Sequence, residues 1–288
     1  MPSLACAPAE RTARMIKEYH APATIEEALT LKEKLADAAV FLAGGTEINS
    51  VAFPLTPEHV ISLQGLGLTD LRVTATDLII GACCTIQQLI DSADIPECLK
   101  AAGRHIVNRN IRNMATIGGQ LGGNKSCGNL LPVLVALEAV VDLVAPGGTD
   151  AIPALEYLAG ERKELITHVR IPKSDPPRLV AVEKYSRTAN DLSILTAAVS
   201  LARDGDVVER PLIAAGGVAK HLTRLEPVEE ALNGKPLPSR EVIEGLVASH
   251  VSPINDIRGS VAFKRHLAAV LVAKTVLRAY LQEEGQRP

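Results

Sequence analysis

The chain has 288 residues, 47% hydrophobic and 22% charged, enough apolar material for two domains of ordinary size. A net charge of -3 argues against nucleic acid or an anionic membrane surface as a partner, and three Phe, four Tyr and no Trp leave no stacking platform for single strands. Five scattered cysteines without a Cys-x-x-Cys pair argue against a disulfide framework, a zinc site or an iron–sulfur cluster, so no metal ligand set is expected. The opening residues lack a basic stretch followed by an apolar run, and no apolar stretch reaches the roughly 18 residues a bilayer requires. Reduced thiols in a cytoplasmic protein are the expectation.

In chain order, about the first 15 residues read as a tail. Thr24 and Glu27 have capping-box spacing, which predicts a helix running to about Leu35. Ala38 to Ala43 reads as a buried strand feeding Gly44-Gly45, and His59 to Leu63 as a second strand, together a small α/β unit with parallel pairing. Leu71 to Thr74 and Leu78 to Gly81 predict a hairpin turning near Thr76-Asp77. Thr85 and Gln88 repeat the capping-box spacing ahead of a helix, and a further helical stretch covers Leu99 to Ile106. The glycine-rich region 116–128 follows, then a compact apolar helix from Leu131 to Leu137, a strand from Val140 to Val144 and a turn at Pro146-Gly147-Gly148. Leu165 to Ile171 is a strand closed by Pro172, and the polar, proline-bearing run Lys173 to Pro177 marks the domain boundary. Beyond it, Val180 to Tyr185, Thr196 to Ala202 and Leu212 to Gly217 read as strands. Helices are expected at about 226–232, 239–249 and 258–282, the last apolar on more than one face.

Two segments could carry chemistry. Phe41-Leu42-Ala43-Gly44-Gly45-Thr46-Glu47-Ile48 ends a strand in paired glycines, whose backbone can approach a ligand closely and offer successive N–H groups to a phosphate; a plain β-turn is the alternative. Thr116-Ile117-Gly118-Gly119-Gln120-Leu121-Gly122-Gly123-Asn124 places four glycines between hydroxyl and amide side chains, which suits pyrophosphate or ribose contacts as well as a loop of purely structural use. Neither fits Gly-x-Gly-x-x-Gly in a βαβ unit or a P-loop. His105 and His168 read as structural, Cys83-Cys84 as a buried hairpin end, and Lys264, Arg265 and His266 as the polar face of the last helix. Arg104, Arg109 and Arg112 are either a solvated face or a site for a phosphate or a partner. No catalytic constellation emerges.

The run AGGTEI at 43–48 followed by IRNMATIGG at 111–119 resembles the FAD-binding (medium) subunits and domains of molybdenum hydroxylases, the xanthine dehydrogenase family. IGACCT at 80–85, ELITHVRIP at 164–172, EKYSR at 183–187, AAGGVA at 214–219 and DIRGSVAFKRHL at 256–267 resemble further landmarks of that family in its own order. The resemblance implies an α+β fold: a two-subdomain FAD domain of the PCMH/vanillyl-alcohol oxidase type over 14–175 (subdomains about 14–65 and 66–175), then a small antiparallel sheet with a helical bundle over 178–284. FAD would lie between the subdomains. Phe41, Leu42 and the main chain of Ala43 to Ile48 would cradle the pyrophosphate, with Thr46 and Glu47 adjacent. Thr116, Gly118 and Gly119 would take the other side of the dinucleotide, and the loop from Gly123 to Asn129 would reach the adenosine half. Ile106 would contact the cofactor, Ile166 would pack near the isoalloxazine, and Lys184 would approach it from the second domain.

The implied role is electron transfer beside a molybdopterin-containing large subunit and a 2Fe–2S small subunit, ending on NAD+ or another acceptor. Gln120, Gly123 and Asn129 depart from the family pattern of Asn, His or Thr, and Asp. The loss of a carboxylate at 129 exchanges a charge-assisted hydrogen bond for a neutral one, which predicts weaker FAD binding. It also motivates a second reading, a flavin-free paralogue that helps assemble a molybdenum enzyme. A free-standing flavin reductase is a third.

Overall fold

The structure, a computed structural model, describes residues 16–50, 57–106 and 108–282. The expected N-terminal tail lies outside the described residues. Among them, the strands form three sheets.

The first unit contains β1 (Glu18–His20), α1 (Ile25–Leu35), β2 (Ala39–Leu42) and β3 (His59–Ser62), with the parallel strand order β1-β3-β2. Its small core joins Ala28 of α1 to Ala39 and Ile61 of the sheet. Thr24 caps α1 by accepting from the Glu27 N–H at 3.1 Å, but the Glu27 carboxylate accepts from Ala23, one residue short of a reciprocal box. β2 is half-buried beyond Ala39 rather than fully buried. β1 was not foreseen, because three residues are too few to establish a period.

The second unit contains β4 (Leu71–Val73), β5 (Asp77–Gly81), α2 (Ile86–Asp91), α3 (Glu97–Arg104), α4 (Arg109–Arg112), α5 (Ile117–Gly123), α6 (Leu131–Ala136), β6 (Val140–Ala145), β7 (Gly148–Pro153), α7 (Ala154–Ala159) and β8 (Leu165–Pro172). Its antiparallel sheet has the order β4-β5-β8-β6-β7. Thr85 and Gln88 form the full capping box. β7 is a strand paired along the whole of β6, where the sequence showed only the turn that joins them. The glycine-rich 117–123 is a helix instead of an open loop: Thr116 caps it, and Ile117 and Leu121 anchor it fully buried. Two buried apolar residues one turn apart outweigh the poor helix propensity of four glycines.

The third unit contains β9 (Leu179–Tyr185), β10 (Leu195–Asp204), β11 (Val207–Gly216), β12 (Thr223–Arg224), α8 (Glu226–Leu232), β13 (Lys235–Pro236), α9 (Arg240–His250) and α10 (Val261–Tyr280). The sheet order is β12-β11-β10-β9, with β13 on β11. Alternation along the strands divides two cores. Val180, Val182, Ala198, Leu212 and Ala214 join the core of the second unit, where α6 lies against β10 and β11. Leu179, Ala181, Ala197, Val199, Ile213 and Ala215 join α9 and α10 on the opposite face. A sheet covered on both faces reads as continuous apolar runs, as β10 does.

Two charge readings are corrected. Lys264 is 2% exposed rather than on a polar face; its ammonium pairs with Asp256 at 2.7 Å and donates to the Ile254 carbonyl at 3.0 Å. Its neighbours Arg265 and His266 are exposed as expected. Arg112 turns inward, donating to Gln87 and to the Ile106 carbonyl, whereas Arg104 pairs with Glu97 at the surface.

α10 is pinned to β9 by Glu183, whose carboxylate lies 3.1 Å from the Lys274 ammonium and 2.6 Å from the Arg278 guanidinium. Burial alone would raise the Glu183 pKa, but the hydrogen bonds from Arg278 and Lys274 outweigh it and hold the carboxyl below its ordinary 4.5. A lowered folded pKa gives stability that is present above the unfolded value and lost as pH falls through the folded one. Both cations are well exposed, so the pair is worth about 1 kcal/mol. Glu183→Gln is expected to lower unfolding stability by about that amount at pH 7. In urea titrations the gap from the parent chain should close below the folded pKa, where both side chains are neutral.

Candidate functional site

The two glycine segments meet. β2 delivers Phe41 and Leu42 to the rim, and Gly45 turns the chain with a φ of 71°. Gly44 packs so closely on the second unit that a Cβ there would overlap the Met114 carbonyl oxygen, with the Ala115 nitrogen 3.3 Å away. A side-chain carbon built on Gly123 would sit 3.6 Å from Glu47 Cγ, and the Glu47 carboxylate pairs with the Lys125 ammonium. A recess of about 330 Å³ opens elsewhere between the two units, lined from the first by Phe41, Lys32 and Asp37 and from the second by Val144, Pro146 and Leu165; of the two glycine-bearing segments it touches only Phe41.

The two segments differ in the donors they leave open. None of the backbone N–H groups from Ala43 to Ile48 donates to another described residue. These residues are half-buried, so the open amides around a positive-φ glycine are accessible and could together bind an anion. In α5, by contrast, Ile117 N–H donates to the Cys84 carbonyl, Gly118 to Ala82, Gly119 to the Thr116 hydroxyl and Gln120 to the Thr116 carbonyl. Those amides are already satisfied, and the reason is the helix that the glycine count concealed.

Around His105 the remaining candidates converge. Asn129, 7% exposed, accepts from the Ser193 and Thr196 hydroxyls and donates to the His105 carbonyl at 3.1 Å. Lys184 donates to the same carbonyl at 3.1 Å and to those of Asp191 and Ala189. Burial lowers the Lys184 pKa against the attraction of Asp191. Burial also lowers that of His105, with Lys184 adding repulsion. Ile106 and Ile166 lie in the core shared by the second and third units, 7% and 8% exposed. The sequence did not single out Ser193, in the loop before β10, or Thr196 on β10, since lone hydroxyls carry no spacing signal.

No nucleophile is prepared here. Burial pushes the Cys83 thiol up to about 11 and that of Cys98 to about 12, so neither is a thiolate at neutral pH. His168 is held by Asp70 at 3.1 Å on the sheet.

The family profile described as FAD binding domain in molybdopterin dehydrogenase matches residues 13–174. The chain belongs to this family of FAD-binding medium subunits. The profile of the CO dehydrogenase flavoprotein C-terminal domain matches residues 180–279. The chain is 32% identical to the carbon monoxide dehydrogenase medium chain of Afipia carboxidovorans, covering 91% of this chain and 96% of that one. It is 30% identical to the nicotine 6-hydroxylase medium subunit of Paenarthrobacter nicotinovorans, with the same coverage of each. Among solved structures, carbon monoxide dehydrogenase from Hydrogenophaga pseudoflava superposes with a TM-score of 0.86 at 28% identity, covering 91% of this chain and 96% of that chain. The α+β architecture of a sheet-bearing flavin region followed by a sheet-and-helix domain is therefore that of the flavoprotein medium subunits. The cofactor of this oxidoreductase subunit is FAD. The open amides of 43–48 fit a diphosphate-bearing group on the structure's own terms.

The close contact at Gly44 tests the site. Gly44→Ala must part the segments, at a cost of about 3 kcal/mol. It is expected to lower the thermal midpoint and release flavin on gel filtration. Gly122→Ala meets nothing within 4 Å and should leave both readouts near the parent values.

Proposed function

We propose that this chain is the electron-transfer subunit of a molybdenum hydroxylase complex, taking electrons from a 2Fe–2S small subunit and passing them to NAD+ or another acceptor while a molybdopterin-containing large subunit oxidises the substrate. The observation that carries this reading is the run of open amides from Ala43 to Ile48, set against the second unit at Gly44. Relatives named as medium chains or medium subunits support a multisubunit assembly. When bound, FAD supplies the means to exchange electrons singly with one partner and in pairs with another.

The residues of this chain then have positioning roles. The main chain of Ala43 to Ile48 holds the pyrophosphate, with the Thr46 hydroxyl beside it and Glu47 fixed by Lys125. Phe41 and Leu42 wall the entry. Thr116 caps the facing helix so that Gly119 and Gly123 present a low surface to the dinucleotide, while Gly118 is buried against Ala82 and lets the helix seat on the sheet. Ile106 and Ile166 supply apolar packing from the core, and Lys184 places a cation at the junction of the units. The division into an FAD domain over 14–175 (subdomains about 14–65 and 66–175) and a C-terminal domain over 178–284 belongs to this proposal, as does a cytoplasmic setting. Among the described residues no helix is long and apolar enough to cross a membrane.

The second reading, a flavin-free assembly paralogue, is favoured by Asn129. Its Oδ1 already accepts from Ser193 and Thr196, which leaves it no open acceptor for a ribose hydroxyl. Co-expression of the chain with a molybdopterin-containing large subunit and a 2Fe–2S small subunit separates the two. Stoichiometric FAD, read from absorbance after denaturation, is the expected outcome. A folded chain that co-purifies with a molybdenum subunit and contains no flavin, even after incubation with FAD, would select the assembly reading instead.

A further inference from the structure

Glu18, His20 and His59 make a cluster that the flavin function does not use. Strand geometry builds it. Glu18 and His20 are two residues apart on β1 and so share a face. The parallel register sets Glu18 opposite His59 on β3. The three side chains therefore converge across the β1–β3 pair, whereas Gly44-Gly45 follows β2 on the other edge of the sheet.

The distances are diagnostic. His20 Nε2 lies 3.2 Å from His59 Nδ1, His59 Nδ1 lies 3.2 Å from a Glu18 carboxylate oxygen, and that oxygen lies 3.6 Å from His20 Nε2. Ligand bonds of 2.0–2.1 Å at tetrahedral angles separate neighbouring donor atoms by about 3.3–3.4 Å. Two imidazoles and a carboxylate thus outline one face of a tetrahedron. Glu18 is exposed and both histidines are half-buried, so solvent reaches the cluster and can take a fourth position.

We propose that Glu18, His20 and His59 form a binding site for a single divalent transition-metal ion of the Zn2+ class, with solvent in the fourth position. Imidazole and carboxylate ligands suit Zn2+ and disfavour Ca2+ or Mg2+, which take sets made of oxygen alone. The ion links β1 to the central strand β3 and so fastens the edge of the sheet that carries the glycine loop. Neither the cysteine pattern nor the flavin chemistry implies this site.

The test uses the tag-free full chain, freed of metal with a chelator and titrated calorimetrically with ZnCl2. One ion per chain is expected, with a rise in thermal midpoint of roughly 5 °C at a hundredfold excess over Kd. His20→Gln and His59→Gln should each weaken binding at least tenfold, while Glu58→Gln, which removes only the surface partner of Lys17, should not. If His59→Gln fails to fold, Glu18→Gln on the edge strand gives the same reading. CoCl2 in place of ZnCl2 should give a tetrahedral visible spectrum without a thiolate band. No stoichiometric uptake, uptake unchanged in the histidine variants, or a thiolate band assigning the ion to cysteine would each overturn the proposal.

Discussion

Between Gly44 and the Met114 carbonyl there is room for a hydrogen atom and no more, and the site depends on that contact. It sets the end of one parallel sheet against the start of a helix in a separate antiparallel unit. The amides that follow Gly44, up to Ile48, donate to no acceptor among the described residues. Open donors are costly in a packed interior, and they persist where a ligand or solvent satisfies them.

The second unit makes this possible by being rigid where it meets the loop. α5 uses its own first amides on Ala82, Cys84 and Thr116, which fixes it to the sheet. The two facing surfaces thus have different tasks. One offers hydrogen-bond donors, and the other offers shape and a stable wall. The ion pair of Glu47 with Lys125 crosses the same junction and holds the loop laterally.

The third unit is not an independent appendage. Its sheet shares one apolar face with α6 and the flavin region and the other with α9 and α10. Where the faces join, the His105 carbonyl accepts from both Asn129 and Lys184, and Asn129 accepts from Ser193 and Thr196. This buried network joins side chains of the second and third units, which favours one relative placement of the units over its neighbours. Removing the Asn129 amide would leave the Ser193 and Thr196 hydroxyls without that acceptor, a cost of about 2 kcal/mol, while the His105 carbonyl would keep Lys184.

Sequence alone determined what short-range chemistry controls. The caps at Thr24 and Thr85, the hairpin after Leu71, the double-sided apolar strands beyond Pro177 and the long final helix were legible because capping spacing and apolar period are local properties. The order of motifs was enough to place the chain in its family. Tertiary structure decided the rest. The glycines of 117–123 became helical because Ile117 and Leu121 are buried by a sheet distant in sequence. Lys264 went inside because Asp256 met it there. β1 exists only because β3 provides its hydrogen bonds, and Glu18, His20 and His59 converge only through that parallel register. In each case the deciding partner lies beyond the reach of any local pattern, and only the folded chain brings it within bonding distance.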